Sequence, residues 1–182
     1  EKRFDTKGRH HLTPETPIDY LSMNLRLHPN GDLSVDNRDK IMKYLEEVNM
    51  SECNPTYAPL IKATLEKVAE MDAQGRYLSA AEASKCRQHI GKMRWLADTT
   101  HITLCTALSI ISKYAANPPE LFMDLIHGVY KWLQHAKDFA LVKRADDHSG
   151  MRIDSDSDWA GLHSTTGDTR SRSGSVYINN GM

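Results

Sequence analysis

Phe122, Leu125, Ile126, Val129 and Leu133 recur at steps of three and four residues, and Trp132 joins them. Only a helix gathers such positions on one side. A side this apolar has to be buried against other elements. The chain must therefore supply partners for it. Two more stripes qualify. Ile41, Tyr44, Leu45 and Val48 predict a helix starting near Asp36. Cys86, Ile90, Met93 and Ala97 follow Ser79-Ala80-Ala81-Glu82, whose Ser and Glu have the spacing of a capping box. A further helix is expected over 102–115, with Leu104, Leu108, Ile111 and Ala115 in register. Asn117-Pro118-Pro119 should end it and start the next, with Asn117 as cap and Pro118 in the first turn. Residues 61–78 are charged and weakly patterned, and Gly75 is a stop signal. They read as a linker that can hold a short helix.

The two ends have a different period. Leu21, Met23, Leu25 and Leu27 alternate with Ser22, Asn24 and Arg26, the pattern of a half-buried strand. The Asn30-Gly31 pair is a turn signal, and 33–35 can return as a second strand. Beyond Lys137, strands are expected at 139–142, 151–156 and 173–178, forming a meander. Asp146 to Gly150 reads as a turn and 162–169 as a polar loop. The fold class is α+β: a β-hairpin and a helical bundle, followed by an incomplete antiparallel sheet.

Charge narrows the function classes. Lys and Arg total 23 against 24 Asp and Glu, so bulk charge does not draw nucleic acid and any grip on it must be local. No apolar run approaches the roughly 18 residues of a membrane helix, so no membrane partner is expected. Glu1-Lys2-Arg3-Phe4 has the charges of a signal peptide without its apolar core, and no initiator Met. A cut inside a longer chain is expected. Cys53, Cys86 and Cys105 lie far apart and lack metal-ligand spacing, as does the His10-His11 pair.

Two segments carry the most information. Ser155-Asp156-Ser157-Asp158-Trp159-Ala160-Gly161 is followed by Arg170-Ser171-Arg172-Ser173-Gly174-Ser175-Val176-Tyr177. In order and spacing they resemble the start of the RNase H domain in copia-type retrotransposon polyproteins. That family has Ser-Asp-Ala-Asp-Trp-Ala-Gly and then an Arg-Arg-Ser-Thr-Ser-Gly-Tyr-like strand. Upstream, Tyr20-Leu21-Ser22-Met23-Asn24-Leu25 resembles the Phe-Leu-Gly-Ile-Glu-Ile hairpin strand after the polymerase palm, with Ser22 where Gly is usual and Asn24 where Glu is. The helix through Ile41 and Tyr44 resembles the thumb helix. Cys86-Arg87-Gln88-His89-Ile90-Gly91-Lys92-Met93-Arg94-Trp95-Leu96-Ala97 resembles Tyr-Arg-Ser-Leu-Ile-Gly-Lys-Leu-Leu-Tyr-Leu-Ala. Thr99-Thr100-His101-Ile102 departs from the family's Thr-Arg-Pro-Asp-Ile.

The resemblance implies a division into the end of a reverse transcriptase (1–60), a helical connection (61–138) and the truncated start of an RNase H-like domain (139–182). It implies a parent that copies RNA into DNA and hydrolyses the RNA of the hybrid, cytoplasmic in virus-like particles and then nuclear. Partners would be an RNA–DNA hybrid or primer–template and the remainder of the polyprotein. Mg²⁺ would be the parent's cofactor, and Asp156 the catalytic and metal-ligating carboxylate that this piece supplies. A two-metal site needs several carboxylates, so one alone gives an incomplete site and no nuclease activity is expected of this piece. Leu21, Ser22 and Met23 would form the primer-grip-like strand. Lys40, Lys43, Lys92 and Arg94, with Lys85 and Arg87 beside them, would meet phosphates. The same cations also fit a solvated helix face.

Three readings compete. Helical stripes alone fit a scaffold or interaction domain without chemistry. A degenerate transposon remnant would keep the fold and lose function. Asp154, Asp156 and Asp158 have the opening rhythm of a calcium loop, but Trp159 and Thr165 stand where its Gly and closing Glu belong.

Overall fold

The computed structural model of the protein describes residues 10–146, 150–158 and 172–179. The expected 162–169 loop, Trp159 and Arg170 lie outside them, as do the side chains of Asp156 and Arg172 and most of the turn before Gly150. The described residues form an α+β fold of five helices and two antiparallel sheets.

The first sheet has the order β1 (Ile18–Tyr20), β2 (Met23–Leu27), β3 (Leu33–Asp36), β4 (Ala140–Lys143). The alternation over 21–27 is not one strand. The chain reverses at Leu21 and Ser22, whose φ angles are 54° and 63°, and Tyr20 then pairs with Met23. Two left-handed residues give the twist that a two-residue hairpin needs. The Asn-Gly turn between β2 and β3 forms as expected. There Gly31 has a φ of 86°, and a Cβ on it would stand 3.0 Å from the Cβ of Ala145. β4 was expected beside the strands that follow it. It pairs instead with β3, Leu33 opposite Lys143 and Asp36 opposite Ala140.

The strands put Ile18, Leu25, Val35 and Leu141 on one face of this sheet and Asn24, Asp36 and Ala140 on the other. The buried strand residues are Ser34 and Asp36, on the polar face. Asp36 accepts from the Asn24 amide at 3.1 Å and the Arg38 backbone N–H at 3.0 Å. The apolar face is only half-buried, and among the described residues none of it belongs to the core cluster.

That core is helical. α1 (Arg38–Glu47) buries Ile41, Tyr44 and Leu45 and closes on Asn49 at φ 56°. The Asn49 and Met50 N–H groups return to the carbonyls of Glu46 and Leu45, the paired bonds of a Schellman ending. α2 (Lys62–Ala73) corrects the linker expected over 61–78. It is a full helix held by Leu65 and Val68, and it ends at Gly75 in the same way. α3 (Ala80–Thr99) starts from the expected capping box, and both Ser79–Glu82 bonds are formed. α4 is Leu104–Ser112 and α5 is Phe122–Ala136. Asn117 does not cap α5, whose first turn follows Leu121 at φ 66°. The Pro118-Pro119 segment instead bridges back to Tyr77: the Leu78 N–H donates to Pro118 and the Glu120 N–H to Arg76. Prolines cannot donate, but their carbonyls can accept, so the pair suits a bridging edge better than a helix start.

A buried polar chain ties β3 and the start of α1 to the far ends of α3 and α5. The Asn37 amide donates to Thr99 Oγ1 at 2.6 Å and Thr100 Oγ1 at 2.7 Å. The Thr100 hydroxyl lies 2.7 Å from His101 Nδ1, and His101 Nε2 lies 3.1 Å from the Ala136 carbonyl. A carbonyl only accepts, so Nε2 carries the proton, and in the neutral ring Nδ1 accepts from Thr100. Burial holds His101 below its ordinary 6.5, against the pull of the Ala136 bond and Asp36. The folded ring resists protonation. Its contribution to stability is whole above pH 6.5, is lost as pH falls below that value, and stops changing once the buried ring is itself charged. Chemical denaturation at stepped pH should show this decline, and His101→Gln should flatten it. Above the carboxylate range, the part that persists belongs to His89, which burial also lowers.

β5 (Met151–Asp158) and β6 (Arg172–Asn179) pair antiparallel, with Asp156 opposite Gly174 and Ser155 opposite Ser175. The expected three-strand meander is thus this hairpin, its first strand having joined the other sheet. A calcium loop needs a tight turn through its aspartates. Here Asp154, Asp156 and Asp158 lie on one continuous extended strand, which overturns that reading.

Candidate nucleic-acid interface

Of the four expected phosphate-binding cations, two meet where α1 and α3 pack. Lys40 on α1 lies 5.7 Å from the ring centre of Tyr44 and 5.3 Å from that of Trp95. Lys92 on α3 lies 5.2 Å from the Tyr44 ring. One aromatic ring thus serves two ammonium groups, which cation–π attraction allows. Lys92 is also bonded to Glu47, and that bond is the main cause of the low pKa of the Glu47 carboxyl. Arg94 points outward to Asp98, 3.0 Å away, one helical turn further along α3. Lys43 is exposed, and its charge acts on Glu47.

Each partner is solvent-exposed or half-exposed, so these pairs add little stability and a phosphate can compete for them. Their effect is on the field: Lys92 and Arg94 arrive with a carboxylate attached. Sequence reasoning found the cations because helix period places them. It missed Glu47, Trp95 and Asp98 as their partners. Asp98 follows Arg94 at the i,i+4 spacing of a helix ion pair, and that signal was available. The Glu47–Lys92 contact spans two helices and had none. Among the other expected cations, Arg87 is tied to the Ala115 carbonyl at 3.3 Å.

Behind this face, Tyr130 is fully buried and its hydroxyl lies 2.8 Å from His89 Nδ1. Burial raises the phenol and lowers the imidazole. The phenol therefore keeps its proton and donates it to the ring nitrogen.

The primer-grip-like residues separate. Leu21 and Ser22 form the hairpin tip, where Leu21 is 68 % exposed, and Met23 opens β2. The Ser22 N–H donates to Asp19 Oδ1 at 3.0 Å. The expected catalytic Asp156 lies on β5, across from Gly174. Among the described residues no three His, Cys, Asp or Glu converge as metal ligands. A cleft of about 480 Å³ lies between the end of α1, the 59–61 loop and α5. Met50, Leu60 and Leu125 line it, with His127 and Lys131.

Comparison with known protein families, with curated proteins and with solved structures finds no match to this chain. No helix in the described residues is long and apolar enough to cross a membrane.

Ser22 occupies a left-handed conformation with no glycine to ease it. Ser22→Gly should raise stability by about 1 kcal/mol, read as a higher denaturant midpoint at unchanged slope. Ser22→Val should lower it, because a β-branched side chain tolerates that backbone least.

Proposed function

We propose that this chain is a segment of a copia-type retrotransposon polyprotein, running from the end of the reverse transcriptase into the start of RNase H. The register of β5 with β6 carries the reading. The two motif segments that resemble the family, around Asp156 and around Gly174, lie on directly paired strands. An RNase H sheet begins with such a pair. A second support comes from the hairpin tip. The family has Gly where Ser22 stands, and the backbone there has the positive φ that Gly accepts freely. A third is the half-buried apolar face of the β1–β4 sheet, a surface for the remainder of the polyprotein.

In this reading α1 and α3 meet an RNA–DNA hybrid or primer–template through Lys40, Lys43, Lys92 and Arg94. Contacts of this kind follow the phosphate backbone and ignore sequence, as a polymerase requires. Asp156 supplies one of the carboxylates for Mg²⁺ in the parent. One observation favours the alternative, a helical scaffold or decayed remnant: Lys92 and Arg94 are already matched by Glu47 and Asp98.

The test uses the parent frame. The frame should carry an Asp-Asp motif shortly before residue 1 and a Glu and a further Asp after residue 182. The protein made from it should hydrolyse the RNA of a hybrid with Mg²⁺. Asp156→Asn should abolish that hydrolysis and leave DNA synthesis in place. In-frame stops on either side would identify a remnant. An open frame without those carboxylates, or unchanged hydrolysis in Asp156→Asn, would refute the reading.

A further inference from the structure

Away from the α1–α3 face, three rings line up on the surface. Tyr57, in the loop after α1, is 85 % exposed. Its ring meets His135 edge-on at 4.8 Å between centres. His135 meets Phe139 at 6.1 Å in the same manner, and Phe139 is 51 % exposed. None of the three belongs to the core cluster.

The row is built, not incidental. Lys131, His135 and Phe139 follow at steps of four along α5 and the turn that ends it, so they share one side. The loop bearing Tyr57 is fastened to α5 at two points. The Thr56 N–H donates to the Lys131 carbonyl at 3.2 Å, and the Gln134 amide donates to the Ser51 carbonyl at 2.6 Å. At the other end Phe139 stacks on the buried His101 with their planes 20° apart. The rings are thus held while their outer surfaces face solvent.

The charge beside them is positive. Burial pushes up the thiol of Cys53, in the same loop, and Lys131 and Lys137 both act on it in the opposite direction. Asp138, next to Phe139, is taken by Arg38, with 2.6 Å between Arg38 Nε and Asp138 Oδ1.

We propose that Tyr57, His135 and Phe139, flanked by Lys131 and Lys137, bind single-stranded nucleic acid, the rings stacking on unpaired bases and the lysines holding phosphates. Exposed rings alone would also suit a proline-rich peptide, but the flanking lysines select a polyanion. A duplex keeps its bases stacked on one another, so rings that stack need a single strand. The site makes no use of Asp156 or of the α1–α3 face.

Fluorescence anisotropy of the whole chain with a short labelled oligothymidine, and with the same strand paired to oligoadenylate RNA, tests this. The single strand should bind, and changes in the ring row should weaken it without weakening the hybrid. Tyr57→Ala should weaken single-strand binding about tenfold, and Tyr57→Phe should not. Lys131→Gln should make the salt dependence shallower by roughly 0.7 in log–log slope. Tyr57 lies outside the core, so its removal leaves the fold intact, and circular dichroism checks this. No strand binding, an equal loss of hybrid binding in Tyr57→Ala, or wild-type strand affinity in that variant would overturn the proposal. Lys67→Glu, an exposed change on α2, should leave strand binding unchanged. Loss of binding there would reduce the effect to bulk charge and also overturn it. Failure of Asp156 to support hydrolysis in the parent frame would leave this site standing.

Discussion

The apolar side of α5 is the constraint on which the rest of the molecule depends. Phe122, Leu125, Ile126, Val129, Tyr130 and Leu133 are buried along one helix, and α1, α2 and α3 all pack against it. Fully burying such a side chain gains about 1.5–3 kcal/mol. A helix with this many of them cannot exist alone in water, and the other helices would have little to pack on without it. α4 is held one step removed, against α3. Polar links then fix how the pieces meet. Asn37, Thr100 and His101 join the sheet side to the end of α5, and Gln134 fastens the loop that follows α1.

Much of this was legible in the residues. The α5 stripe, the α1 stripe and the Ser79 capping box are local signals, and each formed the expected element. What escaped was non-local or unmarked. α2 has only Leu65 and Val68 as deeply buried anchors in a charged segment, so its periodicity is faint. The Leu21–Ser22 turn contains no Gly, Asn or Asp, the residues that usually announce a left-handed pair. The alternation around it therefore read as one strand. The pairing of β4 with β3 joins residues more than a hundred positions apart in the chain, and short strands do not state their partner.

The placement of the candidate cations was legible to the same degree. Helix period placed Lys40 and Lys92 on neighbouring helices, and their meeting over Tyr44 follows from how α1 and α3 pack. The carboxylates that accompany Lys92 and Arg94 change what those cations can do, and only one of them had a local signal. The ring row at Tyr57, His135 and Phe139 had none. Tyr57 sits in an irregular loop, and its place beside His135 depends on two backbone anchors. The sheet adds a further point. It turns its polar face to the buried side, with Ser34 and Asp36 covered and Leu25, Val35 and Leu141 only half so. Alternation foretold two faces but not which would be covered.

Native-state hydrogen exchange tests the organising role of α5 most directly. If α5 is the keel, its amides from 126 to 133 exchange slowest of all, and only through global unfolding, while α2 and the β1–β2 hairpin open earlier in separate local steps. The contrary result is α5 amides that exchange as fast as those of α2, or that open while β2 and β3 remain protected.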